Sequence, residues 1–414
     1  MPPSSRRGLL AAAGGLVAAA GVGAAARAEA GPGPPGATEA FWGDHQAGIV
    51  TPPQSHCYFA AFDLTTDKRD DVVDLLRAWT DAAARLTAGQ TVEPLGNDLD
   101  APGSDSAEAL GLPVARLTVT FGFGTGLFIR DGRDRYGLAG SRPEALIDLP
   151  RFNGDQMVPE KTGGDLSIQA CADDPQVAFH AVRQLARLSY GAADLRWAQT
   201  GFSSRPADGS TPRNLMGFKD GTQTPEQVDK AVWVGNDGVG WMRDGSYLVV
   251  RRIRMALEHW DRTKVSFQEQ TIGRHKYSGA PLGLRNEFEP LGLDRNDADE
   301  NPIIAENAHV RLGNAAANKS AEILRRGYSY NDGVNFTAER WPPWRQGMEY
   351  DAGLLFMCYQ ADPRTGFVKL FEKMAKFDML NQFVTHVGGG LFACPGGVRE
   401  GEFIGQRLFE RARH

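Results

Sequence analysis

Apolar positions recur along this chain with two periods, and the same order of periods appears twice. In the first half, alternation predicts strands over 56–64, 116–123, 165–171 and 195–201. Helical spacing predicts a helix over 70–86, with Val73, Leu76, Trp79 and Ala83 on one face. A second helix is predicted over 175–188, with Val177, Ala181, Leu185 and Leu188 on its face. The second half predicts strands over 247–257, 327–331, 354–360 and 390–394, and helices over 260–272 and 365–377. Each half therefore reads β-α-β-β-α-β, an α+β fold of two ferredoxin-like domains with antiparallel sheets.

A local likeness supports duplication. Cys171-Ala172-Asp173-Asp174-Pro175 opens the late helix of the first half, and Cys358-Tyr359-Gln360-Ala361-Asp362-Pro363 opens its counterpart. The halves join around Pro206 to Arg213. This divides the chain into a leader over 1–30, an extension over 31–54, an N-terminal domain over 55–210 and a C-terminal domain over 211–414. The second half carries an insertion, about 274–324, rich in Asn, Asp, Gly and Pro and holding His275 and His309. An insertion of that size on a compact scaffold is often functional.

The leader changes the picture of where the protein works. Arg6 and Arg7 precede a weakly hydrophobic run from Leu9 to Ala26, and small-residue cleavage sites follow at Ala26-Arg27-Ala28 and Ala28-Glu29-Ala30. Alanine and glycine give too little transfer energy for a good membrane anchor. A twin-arginine signal is the better reading, with export to the periplasm or beyond. Gly31-Pro32-Gly33-Pro34-Pro35-Gly36 then forms a spacer. The net charge of −6, without a long basic run, argues against nucleic acid as a partner. Cys57, Cys171, Cys358 and Cys394 lie far apart in apolar segments without C-x-x-C; they suit a core, and their spacing leaves pairing open.

Three short segments carry candidate chemistry. In Gly217-Phe218-Lys219-Asp220-Gly221-Thr222, two glycines flank a carboxylate, so backbone can approach a ligand closely; an ordinary Asp-Gly turn has the same appearance. His309 stands in a polar loop, where a lone histidine is more often a surface residue than a metal ligand. Leu324-Arg325-Arg326-Gly327-Tyr328 follows it. Other patterns weigh less. Gly122 to Gly126 lacks the G-K-[ST] of a phosphate loop. Arg251, Arg252 and Arg254 suit either carboxylate groups of a cofactor or a solvated strand face. Trp341, Trp344, Tyr328 and Tyr330 suit packing better than electron relay.

Taken together, these segments resemble the dye-decolourising peroxidase family across nearly the whole mature chain. Phe41-Trp42-Gly43-Asp44-His45-Gln46-Ala47-Gly48-Ile49 resembles its opening, and Gly217 to Thr222 its G-x-x-D-G motif. Ile272-Gly273-Arg274, Ser278 to Leu282, His309-Val310-Arg311 and Leu324 to Tyr328 follow in order. The likeness is greatest to exported iron-uptake proteins also described as deferrochelatases. It implies one haem b in the C-terminal domain, with His309 as the proximal iron ligand and Asp220 and Arg325 catalytic on the other face. It also implies haem contacts from Gly221, Thr222, Gln223, Asn314, Ala315, Ala316 and Arg325. Two features depart from the family pattern: Gln223-Thr224-Pro225 stands where relatives often have Asn before the proline, and the stretch from His309 to Arg325 is about two residues short.

The implied roles are chemically coherent. A carboxylate can move the proton of hydrogen peroxide between its oxygens, and a permanently charged guanidinium can hold the developing anion. Expected partners are hydrogen peroxide, small aromatic donors, components of iron uptake in the membrane, and a second copy of the chain. Deferrochelation, in which iron leaves and porphyrin stays whole, is the alternative function, and these residues fit both. A passive haem carrier needs neither Asp220 nor Arg325.

Overall fold

The computed structural model describes residues 37–411, apart from 223, 237 and 339–345. The expected twin-arginine leader, the whole spacer, Gln223, Trp341 and Trp344 lie outside the described residues. The first half runs β1 (His56–Leu64), α1 (Arg69–Thr87), β2 (Thr118–Phe123), β3 (Leu166–Ala172), α2 (Pro175–Leu188) and β4 (Ala193–Phe202). The second runs α3 (Val228–Val232), β5 (Ser246–Met255), α4 (Leu257–Asp261), α5 (Val265–Ile272), α6 (His309–Leu312) and α7 (Ala315–Asn318). It continues with β6 (Leu324–Arg325), β7 (Tyr328–Ala338), β8 (Gln346–Gln360), α8 (Lys369–Phe377), β9 (Val384–Cys394) and α9 (Gln406–Arg411).

Local chemistry explains where these elements begin and end. Asp174 caps α2, its Oδ1 accepting from the backbone N–H of Gln176 at 2.7 Å and of Val177 at 3.1 Å, and Pro175 fills the first helical position. Helix α1 buries Val72, Leu75, Leu76, Trp79, Ala83 and Leu86. Trp79 donates to the Leu185 carbonyl at 2.7 Å, joining α1 to α2. The helix expected over 260–272 is broken into α4 and α5. The Gln268 side chain donates to the carbonyls of Trp260 and Thr263 at 2.8 and 3.1 Å, satisfying acceptors that the break leaves open. The helix expected from 365 begins with a wide turn over Arg364–Val368, because the Gln360 side chain takes the Phe367 N–H at 2.8 Å.

Both halves arrange their long strands alike. The order is β4-β1-β3-β2 in the first and β9-β5-β8-β7 in the second, all antiparallel. The two sets do not stand apart as separate sheets. Single bridges, Phe123 to Ala393 and Phe202 to Ser329, join them, and β5 pairs with both β8 and β9, so the nine-stranded sheet closes on itself. Closure removes edges that would otherwise offer unpaired backbone. Inside lie Phe59, Trp197, Leu248, Val250, Leu355, Met357, Tyr359 and Phe392. Helices α1 and α2 pack with the outward residues of β1 to β3, among them Phe62, Phe121 and Ile168.

The structure also bears on two lesser patterns. Arg251 and Arg252 do not sit on a solvated strand face: both are buried, Arg251 beside Asp155 at 3.3 Å and Arg252 between Asp332 and Asp351 at 2.8 Å each. Gly124 and Gly126 serve packing, since a Cβ at either would run into the Gly164 carbonyl or the Asp165 carboxylate. Tyr328 and Tyr330 are buried.

Candidate functional site

The insertion folds back to present one histidine. His309 opens the single turn α6, whose Leu312 is buried, and Ala308 before it packs with Leu291 and Ile304. Arg311 ties the loop by donating to the carbonyls of Ile304 and Leu293. The imidazole Nδ1 lies 2.7 Å from Asp378 Oδ2. A carboxylate only accepts, so Nδ1 carries the proton and the Nε2 lone pair is free for a ligand. Asp378 is itself buried, and its other oxygen accepts the Leu380 N–H at 2.8 Å, which fixes its direction. Burial alone lowers the His309 pKa, but the charge and hydrogen bond of Asp378 outweigh it and raise the group above its ordinary value. Desolvation is thus the leading influence on a ring that keeps 34% of its side-chain surface accessible. Protein therefore surrounds much of the ring while part of it stays open.

The acid and the guanidinium meet near the same ring. Gly217 and Gly221 have φ of +83° and +114°, conformations that suit glycine, and they bracket the turn carrying Asp220. The turn is held by Asp220 N–H donating to Pro212 O at 2.9 Å and by Asn214 Oδ1 accepting from Met216 at 3.1 Å. Arg325 lies on β6, paired with Cys358 of β8, which pairs in turn with Val249 of β5. These residues share one face of the sheet with Phe356 and Arg251, two positions along. Arg325 Nη1 donates to Asp220 Oδ1 at 3.2 Å. Both charges reach the imidazole: Arg325 lowers the His309 pKa and Asp220 raises it. Three residues far apart in sequence thus surround one space.

The remaining predicted residues fall around them. Gly221 and Thr222 continue the Asp220 turn. Asn314 caps α7, accepting from Ala317 N–H at 2.9 Å, so Asn314, Ala315 and Ala316 follow His309 in the next turn of chain. Two residues that sequence reasoning missed hold the site together. Asp378 orients His309. Glu287 anchors the Asp220 turn, its carboxylate accepting from Thr211 and Lys219 and, at 3.1 Å, from Thr222. Burial raises the Glu287 carboxyl, but the hydrogen bonds from Lys219, Thr211 and Thr222 win and hold it below the usual carboxylate range.

Glu287→Gln is therefore expected to loosen the turn. Dye oxidation should fall about 10-fold through misplacement of Asp220. The stability that Glu287 contributes is fully present above the ordinary carboxylate pKa of about 4.3 and is lost as pH falls through its depressed folded value. The melting temperatures of the two proteins should therefore differ at neutral pH and converge in acid; equal melting temperatures at pH 7 would exclude the anchoring role.

The donor set suits a metal that brings its own ligands. Among the described residues no group of three His, Cys, Asp or Glu converges to hold a bare ion. A porphyrin supplies four nitrogens and asks the protein for one, which the free Nε2 of His309 offers. A carboxylate hydrogen-bonded to Nδ1, as Asp378 is, is the arrangement that raises the basicity of an iron-ligating imidazole.

Comparison with known proteins agrees with this geometry. Residues 46–203 match the family described as Dyp-type peroxidase, N-terminal, and residues 211–399 the one described as Dyp-type peroxidase, C-terminal. The chain is 40% identical over 386 residues to a dye-decolorizing peroxidase of Thermobifida fusca (strain YX), covering 88% of this chain and 84% of that protein. It is 36% identical over 384 residues to a deferrochelatase of Escherichia coli (strain K12), covering 89% and 86%. The solved structure of ferric DtpA from Streptomyces lividans superposes with a TM-score of 0.81 at 41% identity, covering 90% of this chain and 97% of that one.

Proposed function

The chain belongs to the Dyp-type peroxidase family, and from that membership we propose that it is a haem peroxidase that uses hydrogen peroxide to oxidise dyes and other aromatic donors. The observation that carries the reading is the Asp220–Arg325 pair brought close enough to His309 for both charges to act on its imidazole. Haem is the cofactor, and it belongs to the C-terminal half with His309 as its protein ligand. When bound, haem supplies the redox chemistry, taking two oxidising equivalents from peroxide and passing them on as single electrons. The protein's own groups do the rest. Asp220 accepts the proton of peroxide at its carboxylate and returns it to the departing oxygen. Arg325 holds positive charge against the peroxide oxygens while their bond lengthens. Asp378 keeps the imidazole Nδ1 protonated and leaves the Nε2 lone pair for iron. We read each half as a ferredoxin-like domain, a reading supported by their common strand order.

Haem-loaded protein incubated with an aromatic dye, with and without peroxide, tests the function. Dye loss that requires peroxide, with no metal-free porphyrin fluorescence, is the expected result. Stoichiometric porphyrin appearing without peroxide would instead assign the activity named for the Escherichia coli relative, and with it a role beside membrane iron-uptake components. The Asp220–Arg325 pair favours the peroxidase.

The location proposed from Arg6 and Arg7 is outside the cytoplasm, by a route for folded and cofactor-loaded chains. Changing both to lysine should leave unprocessed precursor in the cytoplasmic fraction; normal processing would point to the general secretory route. A homodimer completes the proposed state, read by light scattering of the mature protein.

A further inference from the structure

The interior of the closed sheet holds a cation with no carboxylate. Arg326, the chain neighbour of Arg325, keeps only 3% of its surface exposed. It donates to the Thr51 carbonyl and the Gln54 side chain, and its buried Nε has no partner. Among the described residues no ion pair joins it to Asp or Glu. The ionisable groups that face it are Cys171 of β3, Cys57 of β1, Tyr328 of β7 and Tyr359 of β8, with Cys394 of β9 beyond Tyr359. A guanidinium stays charged at any working pH, and an uncompensated charge in an apolar interior is strongly unfavourable. One of these acids must balance it.

Cys171 is the best placed. The Tyr328 hydroxyl donates to its sulfur across 3.6 Å, and Arg326 lies beside it. Cys57 stands directly opposite Cys171 in the β1–β3 register, its thiol hydrogen-bonded to the same sulfur. We propose that Cys57 and Cys171 form a second, haem-independent redox site, in which Cys171 is the thiolate counter-ion of Arg326 and hydrogen peroxide converts the pair to a cross-strand disulfide. Burial raises both thiols. For Cys171 the hydrogen bond from Cys57 and the Arg326 charge reverse that and bring it to about 6, while Cys57 stays well above its ordinary value. One sulfur is thus the nucleophile and the other keeps its proton, the division of labour a dithiol needs.

The step balances. The Cys171 thiolate attacks one peroxide oxygen; an S–O bond forms, the O–O bond breaks, and hydroxide leaves and is protonated to water. The Cys57 sulfur then attacks Cys171, the S–O bond breaks, and hydroxide leaves with the Cys57 proton as a second water. Two thiol sulfurs are each oxidised by one electron and one peroxide is reduced. The pair also lies beside a seam: Cys57 pairs with Gly201, next to Phe202, and Phe202–Ser329 is the single bridge joining β4 to β7. Local opening of so thin a joint admits a molecule little larger than water.

The test treats haem-loaded protein with peroxide after cyanide has blocked the iron, then alkylates it in denaturant and maps all four cysteines by mass spectrometry. Cys358 and Cys394 are equally buried controls whose thiols burial pushes up, Cys358 to about 12. Cys57 and Cys171 should lose their thiols together, joined in one cross-linked peptide, at least ~10-fold faster than the controls. In Cys57→Ser the oxidation should stop at a Cys171 sulfenic acid that a 1,3-dione captures; in Cys171→Ser, Cys57 should stay a thiol. The wild-type map stands even if a variant fails to fold, and it reads thiols whether or not the dye assay succeeds. Four intact thiols, parallel loss of all four, or a dione label on Cys57 would overturn the proposal.

Discussion

His309→Ala is expected to strip most of the haem from the protein while the fold survives. In the proposed site the ring would supply the protein's bond to iron, through a nitrogen that no other residue engages among the described residues. Its remaining contacts are modest: a partly accessible side chain on a four-residue turn, with Ala308 and Leu312 rather than His309 anchoring that turn in the core. Loss of a second-shell partner alone typically weakens metal binding ~10–100-fold, so loss of the ligand itself should exceed that. The neighbouring change Asp378→Asn should fall in the smaller range and raise the reduction potential of the bound haem, because it removes an anion behind the ligand. The measurements are the haem-to-protein ratio, the Soret band and the melting curve of the apoprotein. Two other histidines of the chain's second half, His386 and His275, are poorly suited to replace it. His386 is buried against the Phe371 ring, and burial, with Arg251 nearby, pushes its pKa down to about 3. His275 is paired with Glu269 at 3.0 Å. Full retention of haem with unchanged axial ligation in His309→Ala would remove His309 from the site.

What could be read from the sequence depended on how local the cause was. Helix α2 begins and ends where expected because Asp174, Pro175 and its apolar stripe all lie within the segment. Strand β1 likewise matches its alternation. The break between α4 and α5 was not legible, since a helical stripe runs through it and only the Gln268 side chain reveals the open carbonyls. The two-residue β6 was too short for any period to mark, yet it carries Arg325. The same divide runs through the site. Asp220 and His309 stood out through the family resemblance, since by residue type alone one looks like an ordinary Asp-Gly turn and the other like a surface histidine. Asp378 acts 69 residues from His309, and Glu287 acts 65 residues from Thr222, so spacing gave no sign of either. For Arg251 and Arg252 the sequence left open a solvated strand face or the carboxylates of a cofactor, because the Asp155, Asp332 and Asp351 carboxylates that meet them lie far along the chain.

Arg325→Leu should slow the reaction with peroxide by ~10²–10³-fold, the usual cost of removing one preorganised charge from a site where charge develops. Arg325 and Asp220 are bonded at 3.2 Å and keep 37% and 31% of their side-chain surface accessible, so the ion pair itself contributes little and the loss expected is that of the charge offered to peroxide. Without Arg325, Asp220 keeps its negative charge but faces an approaching peroxide anion with no cation to offset it. Asp220→Asn should act differently, because the amide keeps the shape and a hydrogen bond to Arg325 but loses the proton acceptor. Arg325→Lys is the informative intermediate: it retains the charge without the planar fork, so it should recover part of the rate. The two residues work on one proton and one developing charge, so their effects should not add; Asp220→Asn combined with Arg325→Leu should be little slower than the worse single variant. Stopped-flow recording of the peroxide-dependent change in the visible spectrum gives each rate, with the haem-to-protein ratio of every variant as the control for binding. Additive losses would separate the residues into independent roles, and unchanged rates in both single variants would place the peroxide chemistry away from this pair.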